Sequence, residues 1–142
     1  MAEKAIIIEQ SFDASVERVW DAITNLNEMK QWFFSNIEFF EPVLGFETRF
    51  VIQVEDRVFP HLWKLTEVVP FKKITYDWSY EGYAGRSMVT FELFEEGDHT
   101  KLSLTSSTVE KYPNHIPEFS RESGVEGWNY FICKSLKAYL DN

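Results

Sequence analysis

From Ile37 onward, apolar and polar positions alternate with a period of two over roughly seventy residues, broken at regular intervals by turn residues. This pattern predicts six strands. Ile37 to Glu41 is short and closed by Pro42 and Gly45. Phe46 to Glu55 sets Phe46, Thr48, Phe50, Ile52 and Val54 against Glu47, Arg49, Gln53 and Glu55, with a hairpin turn at Asp56-Arg57. Val58 to Val69 carries His61, Trp63 and Leu65 on one face, and Pro60 near its start argues for an edge, a bulge or an irregular entry. After Pro70, Ile74, Tyr76, Trp78 and Tyr80 point inward while Lys73, Thr75, Asp77 and Ser79 point outward. Gly82 and Gly85 turn the chain into a strand carrying Ser87, Val89, Phe91 and Leu93, and His99 to Val109 brings in Leu102, Leu104, Ser106 and Thr108.

The period changes at both ends of the chain. Lys4 to Phe12 reads as a first strand, after which Val16, Val19, Trp20 and Ile23 recur at helical spacing. Leu26, Met29, Trp32 and Phe33 continue that spacing beyond Asn25, so two short helices are expected rather than one. At the far end, Val125, Trp128, Ile132, Leu136, Tyr139 and Leu140 form one stripe, with Phe131 at its edge. Ser123-Gly124-Val125-Glu126 has the form of a capping box for this long helix, and Glu118 to Glu122 would be a looser lead-in. The stripe also carries Gly124 and Ser135. Such notches either pack tightly on another backbone or leave a cavity.

Antiparallel strands joined in sequence form a twisted meander with one apolar face, and only the C-terminal helix is long and apolar enough to cover it. The expected architecture is therefore α+β, a curved antiparallel sheet around a long helix, in one domain spanning 1–142. Hydrophobic residues make up 44% of the chain, with 13 Phe, 5 Trp and 6 Tyr, enough to exclude disorder and line a wide interior. The formal charge of −9 repels phosphate backbones and anionic lipid, so neither nucleic acid nor membrane insertion is expected. The lone Cys133 reads as a packing residue, and the first residues hold too short an apolar run for a signal peptide, so a cytoplasmic location is expected.

Several segments resemble one family. They are Ala14-Ser15-Val16-Glu17-Arg18-Val19-Trp20 with Trp32 downstream, Trp63 through Val69-Pro70 to Lys73-Ile74-Thr75-Tyr76-Asp77-Trp78, Val89 to Leu93, Thr100 to Leu104, and Gly127-Trp128 with Leu136 and Tyr139-Leu140. In this order they resemble the activator-of-Hsp90-ATPase-homologue branch of the START and Bet v 1-like superfamily, the SRPBCC proteins. The resemblance implies the helix-grip fold and a cavity between sheet and helix for a small hydrophobic molecule. By analogy its lining would be Phe50, Ile52, Trp63, Tyr76, Trp78, Tyr80, Val89, Phe91, Leu104, Ser106, Trp128 and Ile132. Eukaryotic Hsp90 activators carry a further N-terminal domain, whereas this sequence is read as opening at its first strand; a chaperone partner is the alternative.

No nucleophile elbow, phosphate loop or dinucleotide fingerprint is present. His61, His99 and His115 are widely separated, so neither a metal site nor a cofactor is expected. A cyclase- or hydrolase-like enzyme using His61 or Tyr76 to move a proton is the third reading. Val51, Met88 and Phe94, apolar at outward positions, leave monomer and homodimer both open.

Overall fold

The computed structural model describes residues 4–141; the outermost residues of the 1–142 domain assignment lie outside that range. Strand β1 (Ile6–Phe12) leads into helices α1 (Val16–Thr24) and α2 (Leu26–Trp32), followed by β2 (Glu47–Val54), β3 (Arg57–Val69), β4 (Lys73–Tyr80), β5 (Arg86–Glu96) and β6 (His99–Glu110). The six strands form one antiparallel sheet in the order β1-β6-β5-β4-β3-β2. This is the helix-grip architecture expected from the alternation. Inward parity holds along the central strands: Leu65, Tyr76, Phe91 and Leu104 are all at most 1% exposed.

Three local expectations are corrected. Ile37 to Glu41 joins no ladder; Ile37 and Phe40, three apart, drop into the core as plugs, and Pro42 just beyond has no N–H to give a neighbouring strand. The β2–β3 turn is Glu55-Asp56, with Glu55 at φ 57°. Pro60 does not mark an edge, since β3 lies between β2 and β4. It sits just past the last β4 pair, His61 with Tyr80, where its carbonyl accepts from the Glu81 N–H at 2.9 Å and no donor is required of it.

The helix starts earlier than the capping box suggested. After a 3₁₀ turn at Pro117–Phe119, α3 (Arg121–Trp128) is capped by Ser120, whose hydroxyl accepts from the Ser123 N–H at 3.2 Å. Gly124 N–H also bonds the Ser120 carbonyl, so the helical turn is already closed where the capping box would open it. The rod is not uniformly α-helical: Asn129–Leu136 is π-helical, and α4 (Lys137–Asp141) completes it. Phe131 and Ile132, adjacent in sequence, both turn toward the sheet, Phe131 against Phe33 at 4.8 Å between ring centres and Ile132 fully buried. The widened turn accommodates both. No helix among the described residues is long and apolar enough to cross a membrane.

The two short helices fill the space between the C-terminal half of the rod and the sheet. Val19, Ala22, Ile23, Met29 and Trp32 are at most 2% exposed. Trp32 Nε1 donates to the Ala22 carbonyl at 2.7 Å, and Ser135 Oγ donates to the Trp32 carbonyl at 2.6 Å. Phe33, at the end of α2, packs on Trp63, Trp78, Phe91, Trp128 and Phe131. That cluster closes the middle of the interface.

Candidate functional site

Beyond the Phe33 cluster, under the N-terminal half of the rod, the sheet and helix enclose a cavity of about 380 Å³. Its roof is α3, where Gly127 replaces the large side chain a filled interface would need. A Cβ at Gly127 would meet nothing within 4 Å, whereas one at Gly124 would press on Ile6 Cδ1 at 3.0 Å, so Gly124 lets the rod pack closely on β1. The floor consists of residues from successive rungs of the sheet: His61 paired with Tyr80, then Trp78, then Val89 paired with Ser106, together with Ile52 of β2. Phe34 and Phe131 close the inner end. Tyr112 and Phe119, from the segment leading into α3, form the outer wall, their rings stacked at 5.1 Å.

Gly85 holds that outer wall in place. Its φ of +111° suits glycine, and a Cβ there would lie 2.1 Å from the Tyr112 ring. With Tyr112 seated on this glycine, its hydroxyl meets Ser87 Oγ at 2.7 Å. At the mouth, Arg57 grips Glu118 with two nitrogens, at 2.6 and 2.9 Å, joining the β2–β3 hairpin to the 3₁₀ turn. The hydrogen bonds from Arg57 hold the Glu118 carboxyl below its usual range. Arg121, also at the rim, donates to the carbonyls of Lys4 and Ala5.

Serine and threonine hydroxyls, among them Ser87, Ser106 and Thr108, also border the cavity, and two buried polar rings face its floor. Tyr80 hydroxyl accepts from Trp78 Nε1 at 3.0 Å, and burial pushes its ionisation well above the usual phenol range, so it stays a neutral O–H. His61 is 6% exposed; burial lowers its pKa from 6.5 to about 4, against the opposing effect of its backbone hydrogen bond, and the ring is neutral at pH 7.

Of the twelve residues expected at the wall, Ile52, Trp78, Tyr80, Val89, Ser106 and Trp128 line the cavity. Phe50, Trp63, Tyr76, Phe91, Leu104 and Ile132 do not; they belong to the packed core, because Phe33, Phe40 and the rod fill the space before them. Tyr76 is 1% exposed, and burial drives its hydroxyl far above the phenol range, so it has neither the access nor the acidity to move a proton for a ligand. The sequence reading did not place Phe34, Phe59, Tyr112, Phe119 and Gly127 at the wall. The signal for Tyr112 and Phe119 was their place in a loop immediately before the helix.

The family described as activator of Hsp90 ATPase homolog 1-like protein matches residues 13–141. No curated protein sequence is similar enough to count as a match. Among solved structures, protein CV1439 from Chromobacterium violaceum superposes with a TM-score of 0.80 at 19% identity, over 97% of each chain. CalU16 from Micromonospora echinospora superposes at 0.69 with 28% identity, over 96% of this chain and 75% of that one. DynU16, described as a protein in the dynemicin biosynthetic locus, superposes at 0.76 with 23% identity; this chain is covered over 99% but spans only 48% of DynU16.

Proposed function

The chain belongs to the activator of Hsp90 ATPase homolog 1-like family, and we propose that it binds a small hydrophobic molecule between the sheet and the N-terminal half of the C-terminal rod. The observation carrying this reading is the cavity itself: about 380 Å³, bordered by aromatic rings, beneath Gly127, which leaves its part of the roof unfilled. Volumes of this size suit a ligand of two or three fused or linked rings, and interiors this apolar are otherwise normally packed. The description of DynU16 as a protein in the dynemicin biosynthetic locus is in keeping with it. Ile52, Trp78, Val89 and Trp128 supply apolar contact area, and Tyr80 a free O–H to orient the bound molecule.

The reading this cavity supports best is binding of the molecule. Native mass spectrometry of freshly purified protein, followed by denaturing extraction, tests it. The expected result is a stoichiometric small molecule that Ser106→Phe, which fills the floor, no longer retains while remaining folded. A consistently ligand-free protein, whose Ser106→Phe and Gly124→Leu variants both unfold, would show a filled core instead.

A further inference from the structure

His61 presents an unused hydrogen-bond acceptor to this cavity. Its Nδ1 lies 2.9 Å from the Phe59 carbonyl oxygen, and since a carbonyl only accepts, the proton of the neutral ring sits on Nδ1. That leaves a lone pair on Nε2, which has no partner among the described residues. Trp63 Nε1 is the one side-chain nitrogen or oxygen among them that is both sealed and unpartnered, so Nε2 is open, and the space His61 faces is the cavity. The ring cannot easily turn away: it stacks on Phe50 at 4.9 Å and is edged by Phe34, Trp78 and Tyr80.

We infer that His61 Nε2 selects the ligand by accepting a hydrogen bond from a hydroxyl on an aromatic skeleton, so that the bound molecule is a neutral phenol. This deepens the ligand-binding reading and rests on it. An acceptor flanked by aromatic rings favours a partner that brings a donor, because a buried acceptor left unpaired on ligand binding costs affinity. Flat walls of Phe34, Phe59, Trp78, Phe119 and Trp128 favour aromatic rings over flexible chains. At the mouth, Arg57 is paired with Glu118, and Arg121 is held by the carbonyls of Lys4 and Ala5. The lowered pKa of His61 keeps Nε2 an acceptor at neutral pH.

The test compares 4-phenylphenol with 4-methylbiphenyl, nearly the same in shape, by isothermal titration of the wild-type chain and of His61→Phe. Removing the acceptor is expected to shift the affinity ratio of phenol to methyl compound about tenfold toward the methyl compound, while His61→Gln recovers part of the difference. A ratio unchanged in His61→Phe overturns the role of His61 and leaves the cavity reading standing; failure of the wild type to bind either compound overturns both. Should the variants not fold, ¹⁵N spectra of the wild type decide. The His61 Nε2 resonance is expected to move upfield with 4-phenylphenol and to stay with 4-methylbiphenyl, and a resonance indifferent to the phenol overturns the inference.

Discussion

At Ser135 and at Gly127 the C-terminal rod presents the same feature, a small residue among large ones, with opposite outcomes. Ser135 meets the backbone of α2, donating its hydroxyl to the Trp32 carbonyl, and the interface there is sealed by Trp32, Ile132 and Leu136. Gly124 is met closely by Ile6 of β1, but at Gly127 nothing stands within reach of a Cβ, and the space beside it is the cavity. A small residue in a buried stripe is a notch in both cases. What differs is whether another element is delivered to fill it, and α1 and α2, fixed between β1 and β2, reach only one end of the rod.

The largest expected contrast comes from truncating the seal. Phe33→Ala removes the ring touching both sheet and rod, and is expected to cost about 3–5 kcal/mol in urea denaturation. A loss below about 1 kcal/mol would mean the two halves are packed alike.

His61 gives the next effect, through pH. The unfolded histidine takes up a proton near pH 6.5, whereas the folded ring does so only near 4, so stability falls as pH drops through that window. The shift corresponds to roughly 3 kcal/mol, and subtracting the pH profile of His61→Phe from that of the wild type is expected to isolate it. Parallel profiles would show that the ring is hydrated in the folded state, and hence a wetter cavity.

Ile52→Ala, at the cavity floor and half-buried, is expected to cost only about 1 kcal/mol, since the lost side chain borders open space. A cost matching that of Phe33→Ala would contradict a cavity there. Smallest is Glu118→Gln, which weakens the Arg57 clamp: stability barely moves, while release of a bound hydrophobic fluorophore is expected to quicken a few-fold in stopped-flow measurements. An unchanged release rate would place the exit path elsewhere.

Much of this was legible from periodicity. Alternation identified the strands that pair from β2 to β6, and the inward set Trp63, Tyr76, Trp78, Val89 and Phe91 is buried as expected. The misread segment, Ile37 to Glu41, failed because Ile37 and Phe39 alternate as in a strand, whereas the residues actually buried are Ile37 and Phe40, with Phe39 exposed. Among the wall residues, parity named the face correctly but said nothing of what covers it. Tyr76, Val89 and Ser106 share one rung of the sheet, yet Phe40 stacks on Tyr76 while Val89 and Ser106 border the cavity.

By itself, the order of apolar and polar residues determined an antiparallel sheet with one apolar face and a long helix to cover it, because a side-chain period is a local property that each strand or helix carries wherever it packs. Where the cavity lies was decided only by tertiary structure. It depends on which end of the rod receives α1, α2 and Phe33, and on a loop laid over Gly85 that brings Tyr112 to Ser87. Those contacts join residues far apart in the chain, and no local pattern encodes the distance between them.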